Sequence, residues 1–164
     1  MAYKKKAKFS KILVAIDGSD HSMKAAEYAI DIARDNKAQL IALTVLDISK
    51  ITYAASAFIA SPMYGLDKLE RNRKEAQEWL DKVGKLASQK SNDNNNDNNS
   101  DIQFKSQIEE SMSVAGIIVD YAENQNIDLI VVGSRGRSGF TKLLLGSVAS
   151  TIVTYATCPV MVTK

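Results

Sequence analysis

The sequence predicts an α/β fold, a mostly parallel sheet with helices on both faces. Three observations predict it. Short apolar runs alternate with amphipathic stretches of helical spacing along the chain, the signature of β–α–β units. Three of those runs are almost continuously apolar, as strands buried on both faces must be. A glycine-punctuated, basic loop joins the fourth run to a following helix, the place where such sheets leave backbone amides free.

The elements follow in order. Lys11–Ile16 is the first strand, ended by the turn Asp17-Gly18-Ser19. Asp20–Asn36 carries Met23, Ala26, Ala29, Ile30 and Ala33 at helical spacing, with Ser19 or Asp20 as its cap. Gln39–Leu46 is the second strand, ended by Asp47. Residues 48–65 read as a loop long enough to cover a ligand or partner, and residues 66–89 as a charged helix holding Trp79, Leu80, Val83 and Leu86.

Residues 91–100 are ten Asn, Asp and Ser residues, a low-complexity tract that buries nothing and is expected to form a disordered loop. Residues 102–108 alternate apolar and polar, as an edge strand does. Residues 113–124 form a helix with Val114, Ile117, Ile118 and Tyr121 on one side. Residues 127–132 are the fourth strand, 148–156 a helix and 159–163 the fifth strand.

The bulk composition narrows the class. A chain of 164 residues makes one domain with a sizeable core. It divides into a flexible basic tail, residues 1–9, and a domain over residues 10–164. The net charge of +2 gives no electrostatic case for nucleic acid, and Lys4, Lys5, Lys6 and Lys8 place part of that excess in the tail. No apolar run approaches membrane length, and nothing resembles a signal peptide, so the expected compartment is the cytoplasm. The single cysteine, Cys158, reads as a small buried residue.

In doubly wound sheets ligands bind beyond the strand C-termini, where the winding reverses. Asp17-Gly18-Ser19, Val45 and the loop after Val132 all fall at strand ends. The loop Gly133-Ser134-Arg135-Gly136, nine further residues, then Gly146-Ser147 lets backbone approach a sugar and a first phosphate. The Ser147 hydroxyl and the amides of Val148 and Ala149 then suit distal phosphates. Arg135, Arg137 and Lys142 add positive charge. By spacing alone the glycines also suit a plain long turn, and Asp17 also suits a helix cap. Neither the P-loop pattern nor the dinucleotide pattern is present.

The arrangement G-x-x-G-x(9)-G-[ST] after an apolar strand resembles the nucleotide-binding signature of the universal stress protein family. Ile12–Ser19 is similar to that family's first strand and turn, Leu43-Thr44-Val45 to its second strand, and Cys158–Val162 to its last. The resemblance to the UspA-like, ATP-binding subgroup implies a three-layer, Rossmann-like α/β/α domain of adenine-nucleotide alpha-hydrolase type. It implies five parallel strands in the order 3-2-1-4-5.

The resemblance further implies ATP, ADP or AMP as ligand, with Mg2+ as an accompanying cation. Asp17 would lie near the ribose and the Val45 main chain near the adenine. Gly133, Gly136, Gly146, Ser147 and Val148 would line the ribose and phosphates. A homodimer through strand 159–163 and a nucleotide-dependent role with a protein partner in the stress response are also implied. A slow ATPase or phosphotransferase in the same pocket is the alternative, with Asp17, Asp20 and His21 its candidate acid–base groups. His21, the sole histidine, reads otherwise as a solvated surface residue.

Overall fold

The computed structural model describes residues 9–49, 62–92, 102–137 and 145–164, with backbone alone at 62–64 and 91–92. The basic tail through residue 8, most of the predicted 48–65 loop, the Asn-rich tract from 93 onward and Lys142 lie outside the described residues.

Five strands form one parallel sheet: β1 (Lys11–Ala15), β2 (Gln39–Asp47), β3 (Phe104–Ser111), β4 (Leu129–Gly133) and β5 (Val160–Thr163). Their order is β3-β2-β1-β4-β5. β1 is flanked by β2, with Leu13 opposite Ile41, and by β4, with Leu13 opposite Ile130. The chain winds outward from β1 to β3, returns to β4 and winds the other way to β5. The right-handed crossover rule then assigns the helices to opposite faces.

Side-chain alternation divides the core accordingly. Ile12, Val14, Leu40, Ala42 and Val131 point to one face. They pack there against α1 (Asp20–Asn36) and α2 (Pro62–Asn92). Leu13, Ile41, Leu43, Ile130 and Val132 point to the other face. There they meet α3 (Val114–Asn124) and α4 (Ser147–Tyr155). β1 is buried on both faces because both layers need it, which is why it reads as an unbroken apolar run.

Several boundaries differ from the sequence reading. α2 starts at Pro62, four residues before the expected helix, at a position where a missing N–H costs nothing. It also continues through Ser91 and Asn92, into the tract expected to be loop. Phe9, expected in the tail, packs on the core, and its N–H donates to Asn36 Oδ1 at 3.3 Å.

On α3 the buried residues are Ala115, Ile118, Val119 and Ala122, one step round from the face that the large side chains mark. The alanines face the sheet because a small side chain brings the helix closer. Cys158 is only partly buried. Among the described residues, no helix is long and apolar enough to cross a membrane.

Candidate functional site

A cleft opens at the C-terminal ends of β1, β2 and β4, at the point where the winding reverses. Its volume of about 130 Å³ is well above the roughly 10–15 Å³ that a single water needs on the same measure, so it has room for more than one water. Eleven of the thirteen predicted residues line it: Asp17, Val45, Val132, Gly133, Ser134, Arg135, Gly136, Gly146, Ser147, Val148 and Ala149. Gly18 and Ser19 do not.

Those two residues support the site from behind. Gly18 has φ +79, the left-handed region, and a Cβ there would stand 2.3 Å from Trp79 Cε2. Ser19 caps α1, its Oγ accepting from Ser22 N–H at 3.2 Å. Ser19 also donates from its hydroxyl to Asp17 Oδ1 at 2.6 Å and from its N–H to the same oxygen at 3.0 Å. The other carboxylate oxygen, Oδ2, accepts from Arg137 N–H at 3.2 Å. Asp17 therefore ties the turn after β1 to the loop after β4.

The loop is held at both ends. Ser134, buried, donates its N–H to Thr163 O at 2.7 Å, and its carbonyl accepts from Gly146 N–H at 2.8 Å. That bond closes the loop and delivers the chain to α4. Gly146 is the N-cap of α4, with no side-chain hydrogen bond to the helix. The amides of the first turn keep their anion-binding capacity, reinforced by the helix dipole. Arg135 brings a cation to the cleft wall. Arg137 does not supply the charge expected of it there. Its guanidinium carbon stands 5.0 Å from the centroid of the Trp79 ring, and its Nη2 is 3.6 Å from Glu75 Oε2.

The four glycines divide by role. A Cβ on Gly133 would lie 2.8 Å from the His21 carbonyl carbon, and one on Gly136 2.8 Å from Asp17 Oδ2. Gly18 is required by Trp79. A Cβ on Gly146 would meet nothing closer than Ser134 O at 3.4 Å, an ordinary contact.

Sequence reasoning missed Ala15, Ile16, Ser22, Leu43, Val114 and Ile118 as lining residues. Leu43, Val114 and Ile118 make one end of the cleft apolar, beside Val45. Strand alternation from Val45 would have found Leu43; Val114 and Ile118 depend on how α3 is rotated. Ile16 N–H donates to Leu43 O at 2.8 Å as β1 ends. Two residues on, the Val45 amide groups face the same side of β2, past the end of β1. Among the described residues, no three Asp, Glu, His or Cys side chains form a metal-binding group.

A doubly wound sheet with a glycine loop and an uncapped helix at its switch point defines the class, a Rossmann-like α/β protein. The family model for the universal stress protein family matches residues 8–164, and the chain belongs to that family. Universal stress protein MJ0531 of Methanocaldococcus jannaschii is 35% identical over 158 residues, covering 95% of this chain and 82% of the relative. Universal stress protein YxiE of Bacillus subtilis is 32% identical over 158 residues, covering 95% and 99%.

Among solved structures, universal stress protein UspA from Lactobacillus plantarum matches with a TM-score of 0.80 and 26% identity, covering 97% of this chain and all of that one. Two more distant neighbours share the fold. A universal stress protein in complex with cAMP has a TM-score of 0.62 at 22% identity, covering 95% and 97% of the two chains. The universal stress protein from Archaeoglobus fulgidus in complex with dAMP has 0.65 at 18%, covering 96% and 100%.

Proposed function

We propose that this chain is a cytoplasmic, ATP-binding universal stress protein with a regulatory role in the stress response, its contacts with a protein partner depending on the bound nucleotide. The observation that carries the reading is the cleft's two-ended chemistry. One end is apolar, at Leu43, Val45, Val114 and Ile118; the other is a glycine loop leading to the free amides of α4. A flat base and a polyphosphate need those two ends in that order. Asp17 takes the ribose and the Val45 main chain the adenine edge. Gly133, Gly136, Gly146, Ser147 and Val148 take the sugar and phosphates. The two fold neighbours in complex with cAMP and dAMP support an adenine nucleotide. Mg2+ enters with the phosphates.

ATP at a hundred times Kd should add about 2.7 kcal/mol of stability, roughly 5–10 °C in Tm for a chain of this size. No shift with ATP, ADP or AMP overturns the reading. A slow ATPase or phosphotransferase is the second reading, favoured by Asp17, the one acidic side chain among the lining residues. Steady phosphate release that Asp17→Ala abolishes would establish it.

A homodimer through Val160–Thr163 completes the proposal. Among the described residues β5 is an edge strand paired with β4 alone, which invites a second copy. Sedimentation at graded concentration tests it.

A further inference from the structure

Trp79, the sole tryptophan, is not among the residues lining the cleft yet touches the two segments that carry its walls, the turn after β1 and the loop after β4. Its ring lies against Gly18, in the turn that carries Asp17. The Arg137 guanidinium, from the loop after β4, lies over the same ring at 5.0 Å. Glu75, one helical turn before Trp79 on the same side of α2, faces Arg137 Nη2 at 3.6 Å. The Arg137 main-chain N–H meets Asp17 Oδ2 at 3.2 Å. One residue thus joins α2 through its side chain to the site carboxylate through its backbone.

A glycine-rich loop has few side chains with which to hold itself still, and a site is only as ordered as its supports. Stacking of a planar guanidinium on an indole, with a carboxylate beside it, is such a support. We propose that Arg137 is a positioning residue. Its contact with Trp79 and Glu75 clamps residues 134–137 to α2, and so holds the Asp17 carboxylate and the loop backbone in ligand-ready form. The ligand part rests on the adenine-nucleotide reading; the clamp does not. Because coupling is reciprocal, ligand in the cleft tightens the clamp, and Trp79 reports it.

The test uses the full chain with and without ATP. Without ligand, Arg137→Ala should speed amide exchange at residues 134–137 several-fold and shift Trp79 emission. Glu75→Gln should do the same to a smaller extent. With ATP, wild-type Trp79 emission should change, and Arg137→Ala should bind roughly two- to five-fold more weakly, the worth of an exposed cation–π contact. Arg137→Lys, which keeps charge and loses the planar group, should fall between the two.

Unchanged exchange and emission in ligand-free Arg137→Ala overturn the clamp, whatever ATP does. Wild-type ATP affinity in that variant overturns its positioning role. If wild type shows no ATP binding by thermal shift while exchange responds to Arg137→Ala, the nucleotide reading falls and the clamp stands.

Discussion

Gly133 packs against the backbone of His21: a Cβ at residue 133 would stand 2.8 Å from the His21 carbonyl carbon and 2.9 Å from its oxygen. The end of β4 and the first turn of α1 approach so closely that no side chain fits between them. The first signature glycine thus answers to the fold, whatever it does for a ligand. Gly133→Ala should cost about 1–3 kcal/mol, the usual penalty of overpacking against main chain, read as a lower urea midpoint with unchanged slope.

Gly146 behaves in the opposite way. Its φ of −69 suits any residue, and a Cβ there meets only ordinary contacts. Gly146→Ala should cost no more than about 1 kcal/mol, chiefly the weaker N-cap. It should nevertheless reduce the ATP-induced rise in Tm, because the added methyl stands in the loop lining the cleft. A full thermal shift in this variant would mean that the ligand does not approach the backbone at Gly146.

Asp17 has a structural burden as well as a place at the cleft. Asp17→Ala leaves the Ser19 N–H, the Ser19 hydroxyl and the Arg137 N–H without their acceptor. The Ser19 groups are only partly buried and the Arg137 N–H is exposed, so the cost should be near the low end of the unsatisfied-donor range, about 1 kcal/mol. Asp17→Asn keeps an acceptor oxygen and should recover part of that stability while still binding nucleotide more weakly. Calorimetry in the presence and absence of ATP separates the two effects.

Thr44 sits between two lining residues, Leu43 and Val45, but alternation turns it to the opposite face of β2. It is 2% exposed, and its hydroxyl has no hydrogen-bond partner among the described residues. Thr44→Val replaces an unpaired buried oxygen by a methyl of similar shape. It should raise stability by about 1 kcal/mol and leave ATP affinity unchanged.

Stability should also decline in alkali through two identified groups. Burial holds the Cys158 thiol above its ordinary 9.0, and the Asp128 and Glu123 carboxylates push the same way, against opposing backbone hydrogen bonds. Burial and the Glu109 carboxylate raise the Tyr121 hydroxyl above 10.0. Each keeps its proton longer in the folded chain than in the unfolded one. Their contributions are whole below the unfolded-state values and are lost as pH rises through the folded ones. The stability difference between wild type and Cys158→Ser should therefore shrink above about pH 9, and alkylation of Cys158 at pH 8 should be slower than that of a free thiol.

The strands and their order of appearance were readable because β1, β2 and β4 are apolar on both faces and are punctuated by turns. The loop from Gly133 was readable because glycine spacing is local. What escaped depended on how elements meet. Large side chains mark Val114, Ile117, Ile118 and Tyr121 as one face of α3, yet of these Ile118 alone is fully buried, and Ala115 and Ala122 face the sheet, since small residues bring a helix closer. Val114 and Ile118 enter the cleft through that rotation. Arg137 reads as one more cation beside a phosphate loop. Nothing local reveals that α2 presents Trp79 and Glu75 to it.

The central pairing, β1 with β4, joins Ile12 to Leu129, and the cleft spans Ala15 to Ala149. A chain made from its N-terminus therefore lacks the far wall of its pocket until residues 129–149 have left the ribosome. Nascent chains arrested before residue 149 should not retain nucleotide, so a bound ligand would mark a chain whose β4–α4 wall has already docked.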